Sequence, residues 1–270
     1  MRSGHSHVEG NARTVNLLYD HANHSSFGVH CRAHGGFGLG QAARLLAEIA
    51  IHEAGHFVVA HHYGYSIANL ITIEPNGDTL GEIISEGLDW DDPDDAFATL
   101  VELLAGYRAQ MRVAPLGRSL HGADHDLEVA LRVLRKAFAQ DTRFATFFRA
   151  RRKTDAILTA RWEHVLGITG LLLECGSIDG ETADMWLDYA SGAEGVDAAT
   201  VSHYLTMRAA VRDEDLDRES IPAPEDVVEQ WKRYVEIARE ACEPKTSASR
   251  TRLRSAPSAG PTRQKVRKPG

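Results

Sequence analysis

Cysteine is scarce in this chain. Its 270 residues hold three, Cys31, Cys175 and Cys242, odd in number and far apart. No disulfide framework follows from that spacing, and a reducing compartment fits it. Long apolar runs are also missing. The longest, Val165 to Leu173, is interrupted by Gly167, Thr169 and Gly170 and suits a buried core helix rather than a membrane span. The first residues show no charged-then-apolar leader, so the expected location is the cytoplasm. No GxxxxGK[ST] phosphate loop occurs anywhere in the sequence. The glycine-rich stretch Gly35-Gly36-Phe37-Gly38-Leu39-Gly40 has no lysine and no preceding strand, and reads as a flexible linker. Finally, acidic residues are absent from Pro244 to Gly270, where eight basic ones stand. That leaves −16 of the net −8 charge to the 243 residues before it.

What is present divides the chain into four parts. Residues 1–40 are rich in Gly, Ser, Asn and His and read as a mobile segment; His5, His7, His21, His24, His30 and His34 fit no structural zinc spacing. Residues 41–190 carry strong helical periodicity around a short β-hairpin. Residues 191–243 add further helices, and residues 244–270 read as a disordered basic tail with a solubilising role. Nucleic acid is a partner that the tail's charge allows and nothing else supports. With 43 % hydrophobic residues the middle of the chain can bury a sizeable core. The expected fold class is mainly α with a small sheet. Helices are expected at about 41–63, 93–113, 124–140, 142–151, 154–175, 180–191, 197–212 and 223–243. Ala68 to Ile73 and Leu80 to Ser85 are expected as strands joined across Asn76-Gly77, a strong hairpin signal. Asp92-Pro93 and the neighbouring aspartates read as the cap of the helix that follows, not as a calcium site.

The chemistry sits in Ile51-His52-Glu53-Ala54-Gly55-His56. Residues four apart lie one above the other on a helix, so both imidazoles can reach a single metal ion. Glu53 stands one step round the helix, close enough to a metal-bound water to act as general base without being a ligand. The residues before the motif, Gln41 to Ala50, are good helix formers with apolar residues at helical spacing.

A hydrolytic zinc site takes three protein ligands and keeps a fourth position open. His62 lies ten residues after His52, about 280° round a helix of ~100° per residue, and points away from the metal. No glycine stands at Val59 to turn the chain back. His61 lies on the opposite face. Both read as solvent-facing histidines. A better third ligand comes from Asp124-His125-Asp126, at the start of a helix with a buried stripe through Leu127, Ala130, Leu131 and Leu134. There Asp124 is also a candidate N-cap. Asp126 is the leading candidate on spacing, with Asp124 and His125 as alternatives.

These residues resemble a known family. His52 to His56 followed by Val58-Val59, then Ile71 to Gly77, then Leu80-Gly81, is similar to the peptidase domain of the FtsH-type zinc metalloproteases. So are Leu104-Ala105-Gly106, Gly122-Ala123 with Asp126-Leu127, and the run from Leu171 to Glu181. The resemblance covers about residues 41–190. It implies a helical, zincin-like peptidase domain, zinc held by His52, His56 and Asp126, and Glu53 as catalytic base. It also implies that an extended substrate pairs with a strand at Thr79, Leu80 and Gly81. The implied activity is that of a zinc-dependent metalloendopeptidase acting on unfolded or flexible polypeptides.

The sequence departs from that family in three ways. Its 270 residues hold no ATPase phosphate loop and no span-length apolar run, so a separate ATPase is one partner the resemblance leaves open. Rings are the habit of the family, which makes a homo-oligomer an expectation too, but residues 143–161 match poorly. Gln110 stands where the family has a glutamate beside the zinc; an amide can still accept a hydrogen bond from a ligand imidazole but adds no charge. The competing expectation is therefore a weakly active or inactive metal-binding interaction module.

Overall fold

The computed structural model describes residues 39–65, 67–73, 82–85, 89–114, 123–212 and 221–242, and the side chains of all these except 39–42, 67–69, 82–85 and 210–212. At the centre is helix α1, Leu39–His62. Every residue from Ala47 to Ala60 is buried. A helix covered on all sides needs apolar side chains all round, and Ile49, Ile51, Phe57, Val58 and Val59 supply them. The four buried polar residues in this stretch are Glu48, His52, Glu53 and His56.

Around α1 lie α2 (Pro93–Leu103), α3 (Ala105–Val113), α5 (Arg143–Ala160), α6 (Trp162–Cys175) and α9 (Val227–Cys242). Helix α4 (Ala123–Ala137) packs across α2 and α5. Helix α7 (Gly180–Ser191) packs on β1 and α6, and α8 (Ala198–Arg212) on α7 and α9. A three-stranded antiparallel sheet sits against α1 in the order β2 (Glu82–Ser85), β1 (Ile67–Thr72), β3 (Ser177–Ile178). Strands β1 and β2 pair Thr72 with Glu82 and Ile67 with Ser85, with a register shift between Ala68 and Ile71. The expected antiparallel strand pair is present, and its Asn76-Gly77 turn lies outside the described residues. The third strand was not expected, because two residues are too few to show a period of two.

Two helix boundaries differ from expectation. The helix expected over about 93–113 breaks at Leu104 into α2 and α3. The helix expected to stop near 151 runs on to Ala160, and the break falls at Arg161. No proline or glycine stands between Arg143 and His164 to end it earlier. Asp92 caps α2, its side chain accepting from the Asp94 and Asp95 amides, with Pro93 in the first turn as expected. Asp124 lies inside the first turn of α4 rather than at its N-cap, since that helix already includes Ala123.

Glycines set the closest helix contacts. A Cβ on Gly167 would overlap the Trp231 ring, and one on Gly170 would overlap the backbone carbonyl of Tyr234. Helices α6 and α9 thus approach to backbone distance. Trp186 of α7 stacks on Trp231, with ring centroids 5.9 Å apart, and is met edge-on by Tyr234 at 5.5 Å. Val227, Tyr234, Val235 and Ala238 belong to the same buried cluster as the core of α1. Among the described residues no helix is long and apolar enough to cross a membrane.

Candidate metal centre

Three side chains converge from two elements. His52 and His56 project from successive turns of α1, and Asp126 from the first turn of α4. Asp126 Oδ2 lies 3.0 Å from His52 Nε2 and 3.1 Å from His56 Nε2, and the two nitrogens are 3.1 Å apart. Two ligands of a tetrahedral ion at ~2.0–2.1 Å stand about 3.3 Å apart, so the triangle needs to open only slightly around a metal. Among the described residues this is the one His/Cys/Asp/Glu group able to hold a metal ion. The donor set, two imidazoles and a carboxylate, suits a divalent transition metal. Asp126 gains from its place at a helix N-terminus, where a negative charge is favoured.

The space for the two rings comes from α3. Gly106 lies directly opposite them, and a Cβ there would overlap His56 Nε2 and the His52 ring. Gly55 does the same from α1: a Cβ would stand 2.8 Å from both Ala105 O and Ala109 Cβ. The rings meet at 68° with centroids 4.8 Å apart.

The outer nitrogens differ. His56 Nδ1 lies 2.9 Å from the Glu102 main-chain oxygen and 3.3 Å from Glu102 Oε1. Both are acceptors, so Nδ1 keeps a proton, and Nε2 is the nitrogen left to face a metal. His52 Nδ1 has no hydrogen-bond partner among the described residues. Gln110 is buried on α3, but the group at His56 Nδ1 is Glu102. Sequence reasoning missed Glu102. The available signal was a single charge inside the apolar run Leu100-Val101-Glu102-Leu103-Leu104.

The electrostatics bind the cluster together. Burial would lower the His56 pKa, but the Asp126 and Glu102 carboxylates overcome it and hold it well above the usual histidine range. Burial would raise Asp126; His56 and His52 overcome that and hold it well below the usual carboxylate range. Glu53 is buried beside the cluster, and burial pushes its carboxyl up against the pull of His52 and His56.

His61 corrects an expectation. It faces neither the cluster nor open solvent, but pairs through Nε2 with Asp188 Oδ1 of α7 at 3.0 Å. His62 is exposed, as expected. Asp124 is exposed on α4, away from the ligand triangle that its neighbour Asp126 completes. Thr79, Leu80 and Gly81, the expected substrate strand, lie outside the described residues, as do the histidine-rich N-terminal segment and the basic tail. Comparison with protein-family models gives no match, and no curated protein matches the chain.

Proposed function

We propose that this chain is a zinc-dependent metalloendopeptidase with a zincin-like, FtsH-type peptidase fold, acting on unfolded or flexible polypeptides. The observation that carries the reading is the convergence of His52 Nε2, His56 Nε2 and Asp126 Oδ2 within 3.1 Å of one another, with Glu53 buried at the next position on the same helix. His52, His56 and Asp126 would hold the ion. Zinc, when bound, lowers the pKa of a water and polarises a carbonyl. Glu53 then takes the proton of the attacking water and passes it to the leaving amine. Its burial favours that work, since a raised carboxyl pKa brings a base closer to neutral pH. Strand β2 lies at one edge of the sheet. An extended peptide can add to such an edge through main-chain hydrogen bonds, which a flexible chain does more readily than a folded one.

Glu53→Gln tests the reading. The amide keeps shape and leaves the three ligands intact, so zinc binding is expected to be unchanged. Hydrolysis of casein is expected to fall by ~10²–10⁴-fold. Equal turnover by wild type and variant would overturn the mechanism. A second reading, a metal-binding module of little activity, is favoured by glutamine at position 110. Wild type that binds zinc stoichiometrically yet cleaves neither casein nor an unstructured peptide would establish it.

A further inference from the structure

We infer that Glu102 is the positioning residue of the metal centre, orienting His56 and setting its strength as a ligand in the place where the family resemblance pointed to residue 110. The inference rests on the metal-site reading above and concerns which residue completes that site.

The argument is geometric. His56 has one nitrogen for the metal cluster and one for the protein. The outward one, Nδ1, meets two acceptors of the same residue: the Glu102 main-chain oxygen at 2.9 Å and carboxylate oxygen Oε1 at 3.3 Å. The carbonyl is one of the last four of α2; the Leu104 amide also points at it, and a carbonyl oxygen has a second lone pair for the imidazole N–H. It fixes the tautomer. The carboxylate adds negative charge at a side chain that is only 15 % exposed, where water screens it weakly. A carboxylate on the far nitrogen of a ligand imidazole raises the basicity of the near one and holds the ring plane.

The placement is built into the helix pair. Glu102, near the end of α2, and Gly106, near the start of α3, stand on either side of the Leu104 break and both meet the histidine rings. Gly106 leaves room for the rings, and Glu102 holds one of them from behind. Gln110, a further turn along, is not the group at His56 Nδ1. The two ligands are therefore held unequally, since His52 Nδ1 has no partner among the described residues. Of the pair, His56 is the anchored ligand.

The test is zinc affinity, measured on the full chain by competition with a chromophoric chelator, together with the visible spectrum of the cobalt(II) form. Glu102→Ala is expected to weaken zinc binding by ~10–100-fold and to alter the cobalt bands. Glu102→Gln keeps an acceptor but not the charge and is expected to fall between Ala and wild type. Glu128→Gln, a change at an exposed residue of α4, is expected to bind like wild type. A merely structural role would lower the melting temperature of the metal-free protein and leave affinity and spectrum alone. That result, or affinities of both Glu102 variants within two-fold of wild type, would overturn the inference. Should Glu102→Ala not fold, the isosteric Gln variant decides by the same criterion. If wild type binds zinc no more tightly than His56→Ala, the metal centre itself is overturned and the role of Glu102 with it.

Discussion

Gly106 has no side chain, and the His52 and His56 imidazoles lie where one would stand. Gly106→Ala should therefore push the rings apart while leaving helix α3 itself favoured, since alanine is the better helix former. We expect zinc affinity to drop at least tenfold with the helical circular dichroism unchanged; unchanged affinity would show that the rings have room to spare. His56 gives a second prediction at this scale. Its proton is held more tightly than an ordinary histidine's, chiefly by Asp126 and Glu102 against the effect of burial. A metal must displace that proton. Zinc affinity should go on climbing as pH rises above the usual histidine range, and a flat profile in chelator competition would contradict this. The ligands on α1 were legible in the sequence because four-residue spacing is a local property of a helix. Asp126 was legible as a candidate only, since its direction depends on how α4 crosses α1. Glu102 and the His61–Asp188 pair were hidden, because each joins residues 46 and 127 positions apart.

Helix α2 ends and α3 begins within one residue, Leu104. The periodicity of the sequence runs through that break without change, so a single long helix was the natural expectation. The break at Arg161 was misplaced for a related reason: it has no side-chain cap bond to announce it. Tertiary bonds hold these junctions instead. Arg108 of α3 donates to both carboxylate oxygens of Asp155 on α5, at 2.7 and 2.9 Å, and buried Thr154 donates to Val101 O of α2 at 2.9 Å. The α6–α9 contact supplies a test of packing. Glycine to alanine inside an exposed helix normally stabilises by ~1 kcal/mol. At Gly170 the new methyl would collide with the Tyr234 carbonyl, a backbone atom that cannot rotate away. The sign should reverse, with Gly170→Ala costing ~1–3 kcal/mol or more in urea unfolding. A stabilised variant would mean that α9 sits further off than described.

The whole molecule is a helical body built round one buried helix, and its stability should answer to metal and to pH. A ligand that binds only the folded state at about 100 times its dissociation constant adds ~2.7 kcal/mol. For a chain of this size that is a rise in Tm of about 5–10 °C. The rise should vanish with chelator and in the His56→Ala variant, as differential scanning fluorimetry would show. The pH response comes from Asp184 of α7. Burial pushes its carboxyl up to about 6; His61 opposes, while Asp188 and Glu181 add to the rise. A folded pKa above the ordinary value of 3.8 gives stability that is present below that value and is lost as pH climbs through about 6. Since the side chain is partly open to solvent, the loss is on the order of 1 kcal/mol. Asp184→Asn should match wild type near pH 4 and exceed it near pH 8 in chemical denaturation. The reverse order would contradict the assignment.

At this same scale the mainly helical class and the antiparallel strand pair were legible in the sequence, because both follow from local periodicity. The sequence concealed that α9, which follows the stretch resembling a peptidase domain, shares the core of α1. That sharing has a consequence for how the chain is made. Synthesis proceeds from the N-terminus, and the metal-facing helix emerges long before residues 227–242 exist. Until then the glycine trough of α6 and the flat face of Trp186 have nothing to lie against. A chain stopped before residue 227 should expose them, and is expected to be cut faster in limited proteolysis than the full chain; equal rates would show that α9 adds nothing to the core's protection.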